Sequence, residues 1–135
     1  MEKSIVKNYI DLFSNLSPDN INEFDNLISK NIIFEDPFNN IKGINAFKNI
    51  FYHMFENVKE PRFFILDYSM NKQRVFLKWK MTFFAFKSLQ TIEGMSELIL
   101  NDAGKVVSHK AVSYTHLRAH ETGRNLVWRR VREKK

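Results

Sequence analysis

Apolar residues recur at helical spacing through the first part of the chain and at every second position later on. In residues 2–16, Ile5, Tyr9, Leu12, Phe13 and Leu16 share one side, which predicts an amphipathic first helix. Ser17-Pro18-Asp19 then offers a capping hydroxyl and a proline suited to a first helical position. Ile21, Phe24, Leu27 and Ile28 supply the buried face of a second helix. From Asn31 to Asp36 the pattern alternates, with Ile32, Phe34 and Asp36 on one side, and predicts a short strand that Pro37 closes.

Turn chemistry at Asn39-Asn40 and Gly43 leads into a third helix, whose stripe is Ile44, Phe47, Ile50, Phe51, Met54, Phe55 and Val58. Pro61 is expected to stop it. Beyond that point the period becomes two. Phe63-Phe64-Ile65-Leu66 begins one strand, and Asn71-Lys72 turns into another, in which Val75, Leu77, Trp79, Met81 and Phe83 share a face. Thr91 to Leu100 is a further strand. Asn101-Asp102-Ala103-Gly104 reads as a hairpin turn, and Lys105 to His109 opens the last strand. Helices first and antiparallel strands second predict an α+β domain. Three N-terminal helices would cover one face of a curved, mostly antiparallel sheet, and a helix across such a sheet leaves a cone with a pocket at its open end.

Composition changes this picture near the C-terminus. The 135 residues carry a net charge of +6, yet residues 112–135 hold seven bases and two acids, and the rest is nearly neutral. All thirteen Phe precede residue 87, and arginine replaces lysine as the main base after residue 112. Val112-Ser113-Tyr114-Thr115-His116-Leu117-Arg118-Ala119-His120-Glu121-Thr122 resembles the translation of a transposase-type DNA sequencing adapter. Residues 126–135 resemble an altered reading of its remainder. The expectation is a domain over residues 1–111 that lacks its natural end, followed by read-through over 112–135 with no functional meaning. The other reading is a basic tail that binds polyanions. The absence of cysteine excludes disulfides and thiolate sites, and no apolar run approaches the ~20 residues of a membrane span. No signal peptide opens the chain, so the expected address is cytoplasmic.

Candidate chemistry is sparse. Asp36 follows Ile32 and Phe34 on one strand face and should point inward with them. A carboxylate among Phe34, Phe38, Trp79 and Met81 would be desolvated, its pKa raised toward that of a general base near neutral pH. The other reading, which spacing alone favours, is a strand-end Asp that accepts backbone N–H bonds in the Pro37 turn. Tyr9 lies on the inner stripe of the first helix, either as an oxyanion donor or as a core tyrosine with its hydroxyl at the rim. His109 alternates with Val107 and is either a pocket acid/base or a structural histidine. Glu93 and Glu97 share a strand face with Met95, so one of them could enter a cavity. Dispersed histidines support no metal site, and neither a phosphate loop nor a nucleophile elbow is present.

With these residues in place, residues 1–111 resemble the nuclear-transport-factor-2-like superfamily, and most nearly its ketosteroid-isomerase and SnoaL-like polyketide-cyclase branches. The resemblance rests on Asn8-Tyr9-Ile10-Asp11-Leu12, on Phe34-Glu35-Asp36-Pro37-Phe38 with Gly43, and on Asn101-Asp102-Ala103-Gly104-Lys105-Val106. It implies a cone with a pocket between helices and sheet, and a homodimer formed through the sheet. It places Asp36 as the base that moves a proton next to a carbonyl, and Tyr9 as the oxyanion tyrosine. Ser96 stands where the isomerases keep an acid, and His109 at a pocket-lining position. The implied ligand is a hydrophobic, even polycyclic, small molecule lined by Phe13, Phe34, Phe51, Phe55, Trp79 and Met81. Neither cofactor nor metal, and neither nucleic acid nor membrane, is implied. The competing expectation is a non-catalytic ligand-binding or dimerisation module of the same fold.

Overall fold

Helix α1 (Glu2–Ser14) opens a computed structural model that describes residues 2–37 and 39–114. Among these residues follow a 3-10 helix (Ile21–Asn26), β1 (Ile28–Glu35), β2 (Asn40–Lys42), α2 (Ile44–Asn57), β3 (Lys59–Asn71), β4 (Arg74–Ala85), β5 (Ser88–Leu100) and β6 (Val106–Ser113). The expected second α-helix is therefore replaced by a single 3-10 segment, and three helices become two with a 3-10 link. Ile21, Phe24 and Leu27 stand three apart, which aligns them on one side of a helix with three residues per turn. Leu27 ends it by donating its N–H to the Phe24 carbonyl oxygen (2.9 Å), and Ile28 has already entered β1.

The six strands form one mixed, curved sheet in the order β2-β1-β6-β5-β4-β3. Every neighbouring pair is antiparallel except β1 with β6. Parallel neighbours need a long crossover, and here α2 and four strands intervene in the chain. Pro61 does not stop α2 as expected: the helix ends at Asn57 and Pro61 lies inside β3. That strand is at the sheet's edge, with a register shift between Lys59 and Arg62, the setting in which a strand tolerates a residue without an N–H. The hairpin before β6 has the chemistry its sequence predicts. The Asn101 side-chain oxygen accepts the N–H groups of Ala103 (2.9 Å) and Lys105 (3.0 Å), and Gly104 takes a φ of 85° that favours glycine. Strand β6 runs on past Ala111: Val112 pairs with Met95 and Ser113 with Gly94. The remaining basic stretch, with His116 and His120, lies outside the described residues, as does Phe38.

Both helices pack on one face of the sheet, α1 against β3 and α2 against β1, β2 and β3. Strand β4 contributes Val75, Leu77, Trp79, Met81 and Phe83 to the interior, all buried, as its alternation predicts. Phenylalanines from several elements meet there edge to face. Phe24 and Phe47 have ring centroids 5.0 Å apart at 87°, and Phe13 meets Phe51 at 5.4 Å and 73°. Such pairs add about 0.5–1.5 kcal/mol each beyond the area they bury. Phe34 extends this cluster to His109, with ring centroids 5.0 Å apart.

Candidate functional site

Between the helices and the sheet lies a cavity of about 70 Å³. Phe13 of α1, Phe34 of β1 and Phe51 of α2 line it, with Trp79 and Met81 of β4. Ile50, Met54, Phe63, Ile65, Leu77 and Ala111 complete the apolar wall. Periodicity marks Ile50 and Met54 as core, and Leu77 shares the face of Trp79, but nothing in the pattern separates core positions from cavity positions. Phe55 is not on the wall; it is half-buried against the core. Glu93 and Glu97 also stay out of the cavity, because both share the outer sheet face with exposed Met95, where Glu97 pairs with Arg74.

Among the described residues, four polar ones reach the wall: Asp36, Ser96, His109 and Ser113. Asp36 is 9% exposed, at the point where β1 gives way to the turn before β2. Its carboxylate accepts the backbone N–H of Asn39 on Oδ1 (2.7 Å) and the Asn39 side-chain amide on both oxygens (3.1 and 3.2 Å). The inward direction and the turn chemistry expected of this residue therefore coexist. It faces the cavity, and it serves as the acceptor of an Asx turn.

The second polar group is a chain of hydrogen bonds. The Tyr9 hydroxyl lies 2.7 Å from His109 Nδ1, His109 Nε2 lies 3.0 Å from Ser96 Oγ, and the Trp79 indole N–H donates to the same oxygen at 3.0 Å. Tyr9 thus does not touch the cavity as an oxyanion tyrosine would; it is fully buried behind His109. The cause is the depth of α1, which seats the phenol against Phe13 and Phe24 and leaves its hydroxyl facing β6. Desolvation raises the phenol's pKa well above 10 and lowers that of His109 from 6.5 to about 3. At neutral pH the phenol is protonated and the imidazole uncharged.

Gly94 makes this chain possible. It pairs with Trp79 across β4 and β5, and a Cβ at that position would stand 2.4 Å from the Trp79 ring and 2.2 Å from the Val112 carbonyl oxygen. Gly94→Ala is expected to destabilise the protein by about 1–3 kcal/mol through overpacking. The midpoint of thermal unfolding should fall by several degrees, and an unchanged midpoint would show that the indole does not lie over this glycine.

The SnoaL-like domain family matches residues 6–109. None of the curated proteins matches this sequence. Among solved structures, an NTF2-like protein from Exiguobacterium sp. 255-15 superposes with a TM-score of 0.70 at 20% identity, covering 83% of this chain and 99% of that one. An LEH-like epoxide hydrolase of M. tuberculosis gives 0.67 at 11% identity, covering 84% and 82%. A Catenulispora acidiphila protein with a ketosteroid isomerase-like fold, solved in complex with trimethylamine, gives 0.69 at 11%, covering 84% and 85%. At these identities the likeness is one of fold. Helices on one face of a curved mixed sheet, an apolar cavity between the layers and the match over most of the chain lead to one assignment: this protein belongs to the SnoaL-like domain family of the nuclear-transport-factor-2-like superfamily.

Proposed function

We propose that this protein binds a small hydrophobic carbonyl compound and abstracts a proton beside the carbonyl, with Asp36 as the base, as an isomerase or cyclase does. One observation carries the reading: a carboxylate lies on the wall of a mostly apolar cavity and is nearly closed off from solvent. Water is scarce there, and a positioned base is worth about 10²–10⁴ in rate. The cavity of about 70 Å³ is roughly half the ~150 Å³ that takes up a benzene ring. It favours a short ligand, or one that inserts only its carbonyl end, over the polycyclic ligand suggested by the aromatic lining. The M. tuberculosis neighbour is an epoxide hydrolase, so this architecture supports chemistry on small organic molecules.

The Asn39 bonds favour a second reading, in which Asp36 is a turn acceptor and the cavity binds without turnover. Proton exchange separates the two. In D2O the protein should introduce deuterium at the α-carbon of a small cyclic ketone, followed by NMR, and binding without exchange would leave only the second reading.

We also propose a homodimer through the outer face of the sheet. There Phe76, Phe84, Leu89, Met95 and Val112 are exposed, interleaved with Lys78, Lys110 and Glu97. A surface that sets apolar rows beside charges of both signs can meet its own copy with the charges paired. Sedimentation should give twice the chain mass, and Met95→Glu should return it to one; a monomer at micromolar concentration would end this proposal.

A further inference from the structure

The hydrogen-bond chain behind the cavity has a direction, and the direction assigns a role to Ser96. An indole N–H only donates, so one lone pair of Ser96 Oγ is committed to Trp79. Two proton arrangements then satisfy the His109 contacts. In the first, Tyr9 donates to Nδ1, His109 donates from Nε2 to Ser96, and the proton left over is that of the Ser96 hydroxyl. In the second, His109 donates from Nδ1 to Tyr9, Ser96 donates to Nε2, and the proton left over is that of Tyr9.

The two leftovers are not equivalent. Tyr9 is 0% exposed and His109 is the single partner of its hydroxyl among the described residues, so a proton turned away from Nδ1 would have no acceptor among them. A buried hydroxyl that cannot donate loses the hydration it had before folding and gains nothing in return. Ser96 is on the cavity wall, where a ligand can take its proton. We infer that Tyr9 holds His109 as its Nε2–H tautomer, and that Ser96, its oxygen already occupied by two N–H donors, presents its own O–H to a ligand's acceptor oxygen. Ser96 is then the group that touches the ligand, and Tyr9 is a positioning residue that acts through His109. The low proton affinity of the buried imidazole agrees with this, since a protonated ring would also force a proton onto the Tyr9 side.

This assignment rests on the reading of the cavity as a ligand site and sharpens it. A wall whose deep polar group can only donate selects a ketone, aldehyde or enolate oxygen. The opposite tautomer would instead pair Ser96 O–H with a basic Nε2, the arrangement of a serine nucleophile and its base. The two are therefore distinguishable in the resting protein.

The test needs no turnover. In 15N-labelled wild-type protein, long-range proton–nitrogen correlation spectra should show His109 protonated on Nε2 and bare on Nδ1 from pH 5 to 8. Protonation on Nδ1 overturns the inference and leaves the cavity's role untouched. In Tyr9→Phe the ring should stay protonated on Nε2 while the Nδ1 resonance moves downfield, as an imine nitrogen does when it loses a hydrogen-bond donor; an unchanged Nδ1 resonance overturns the role given to Tyr9. Binding is then compared for cyclopentanone and for methylenecyclopentane, which replaces the oxygen by a methylene of similar shape. Ser96→Ala should weaken the ketone about tenfold and leave the hydrocarbon unchanged. Equal effects on both overturn the role of Ser96. If neither compound binds the wild type, the ligand-site reading falls, and this inference with it.

Discussion

Asp36→Asn is expected to lower the rate of α-proton exchange by about 10²–10⁴-fold while ligand affinity stays within a few-fold of wild type. The substitution is close to isosteric, and it keeps the oxygen that accepts the Asn39 backbone N–H at 2.7 Å. What it removes is the charge, and with it the lone pair basic enough to take a proton from carbon. The second carboxylate oxygen now meets the Asn39 side-chain amide at 3.2 Å. An amide nitrogen placed there would oppose another donor, so one of the two side chains must flip, which is why unfolding should be measured alongside. A variant with wild-type stability, wild-type affinity and lost exchange supports Asp36 as the base. If exchange persists at the wild-type rate, the carboxylate is a turn acceptor and no more.

The second large effect is on stability against acid. His109 has a pKa lowered from 6.5 to about 3 by burial. The ring's hydrogen-bonded and ring-packed neighbours are Tyr9 and Phe13 of α1, Phe34 of β1 and Ser96 of β5; of these only Tyr9 titrates, and burial keeps it protonated. The sign follows from proton counting. Between pH 6.5 and about 3 the unfolded chain holds a proton on this residue and the folded chain does not, so lowering the pH through that window favours unfolding. The stabilisation is complete above pH 6.5. Its loss by pH 3 is on the order of 4 kcal/mol, a large share of the 5–15 kcal/mol typical of a domain. Other groups titrate in the same range, so the test compares slopes. From pH 4 to 6, wild-type stability should rise more steeply than that of His109→Gln by about 1.4 kcal/mol per pH unit, the value for one proton. Identical slopes would show that the ring is protonated in the fold.

Fold class, strand faces and turn chemistry were legible in the order of the residues. Val75, Leu77, Trp79, Met81 and Phe83 fall on one side of β4 because that side faces the core, a condition that period-two spacing reports directly. The Asn101–Gly104 turn was legible because its bonds are local. Local spacing misjudged the segment after Pro18, where i, i+3 positions serve a 3-10 helix as well as an α-helix, and where the choice fell to the strand that claims Ile28. It also could not foresee β2, three residues long and stabilised by its pairing with β1.

The candidate site divides in the same manner. Alternation placed Asp36 on the inward face of Ile32 and Phe34 and set His109 beside Val107, whereas Ser96 was marked only by the family resemblance. Whether Tyr9 met a ligand or a histidine depended on a contact spanning 100 positions in the chain, which no periodicity encodes. The same holds for the cavity's modest size, which results from how seven elements close on one another. Side-chain direction is written into the backbone repeat, one residue at a time. Partnership and empty space are properties of the assembled layers, and those were decided only when α1 settled onto the sheet.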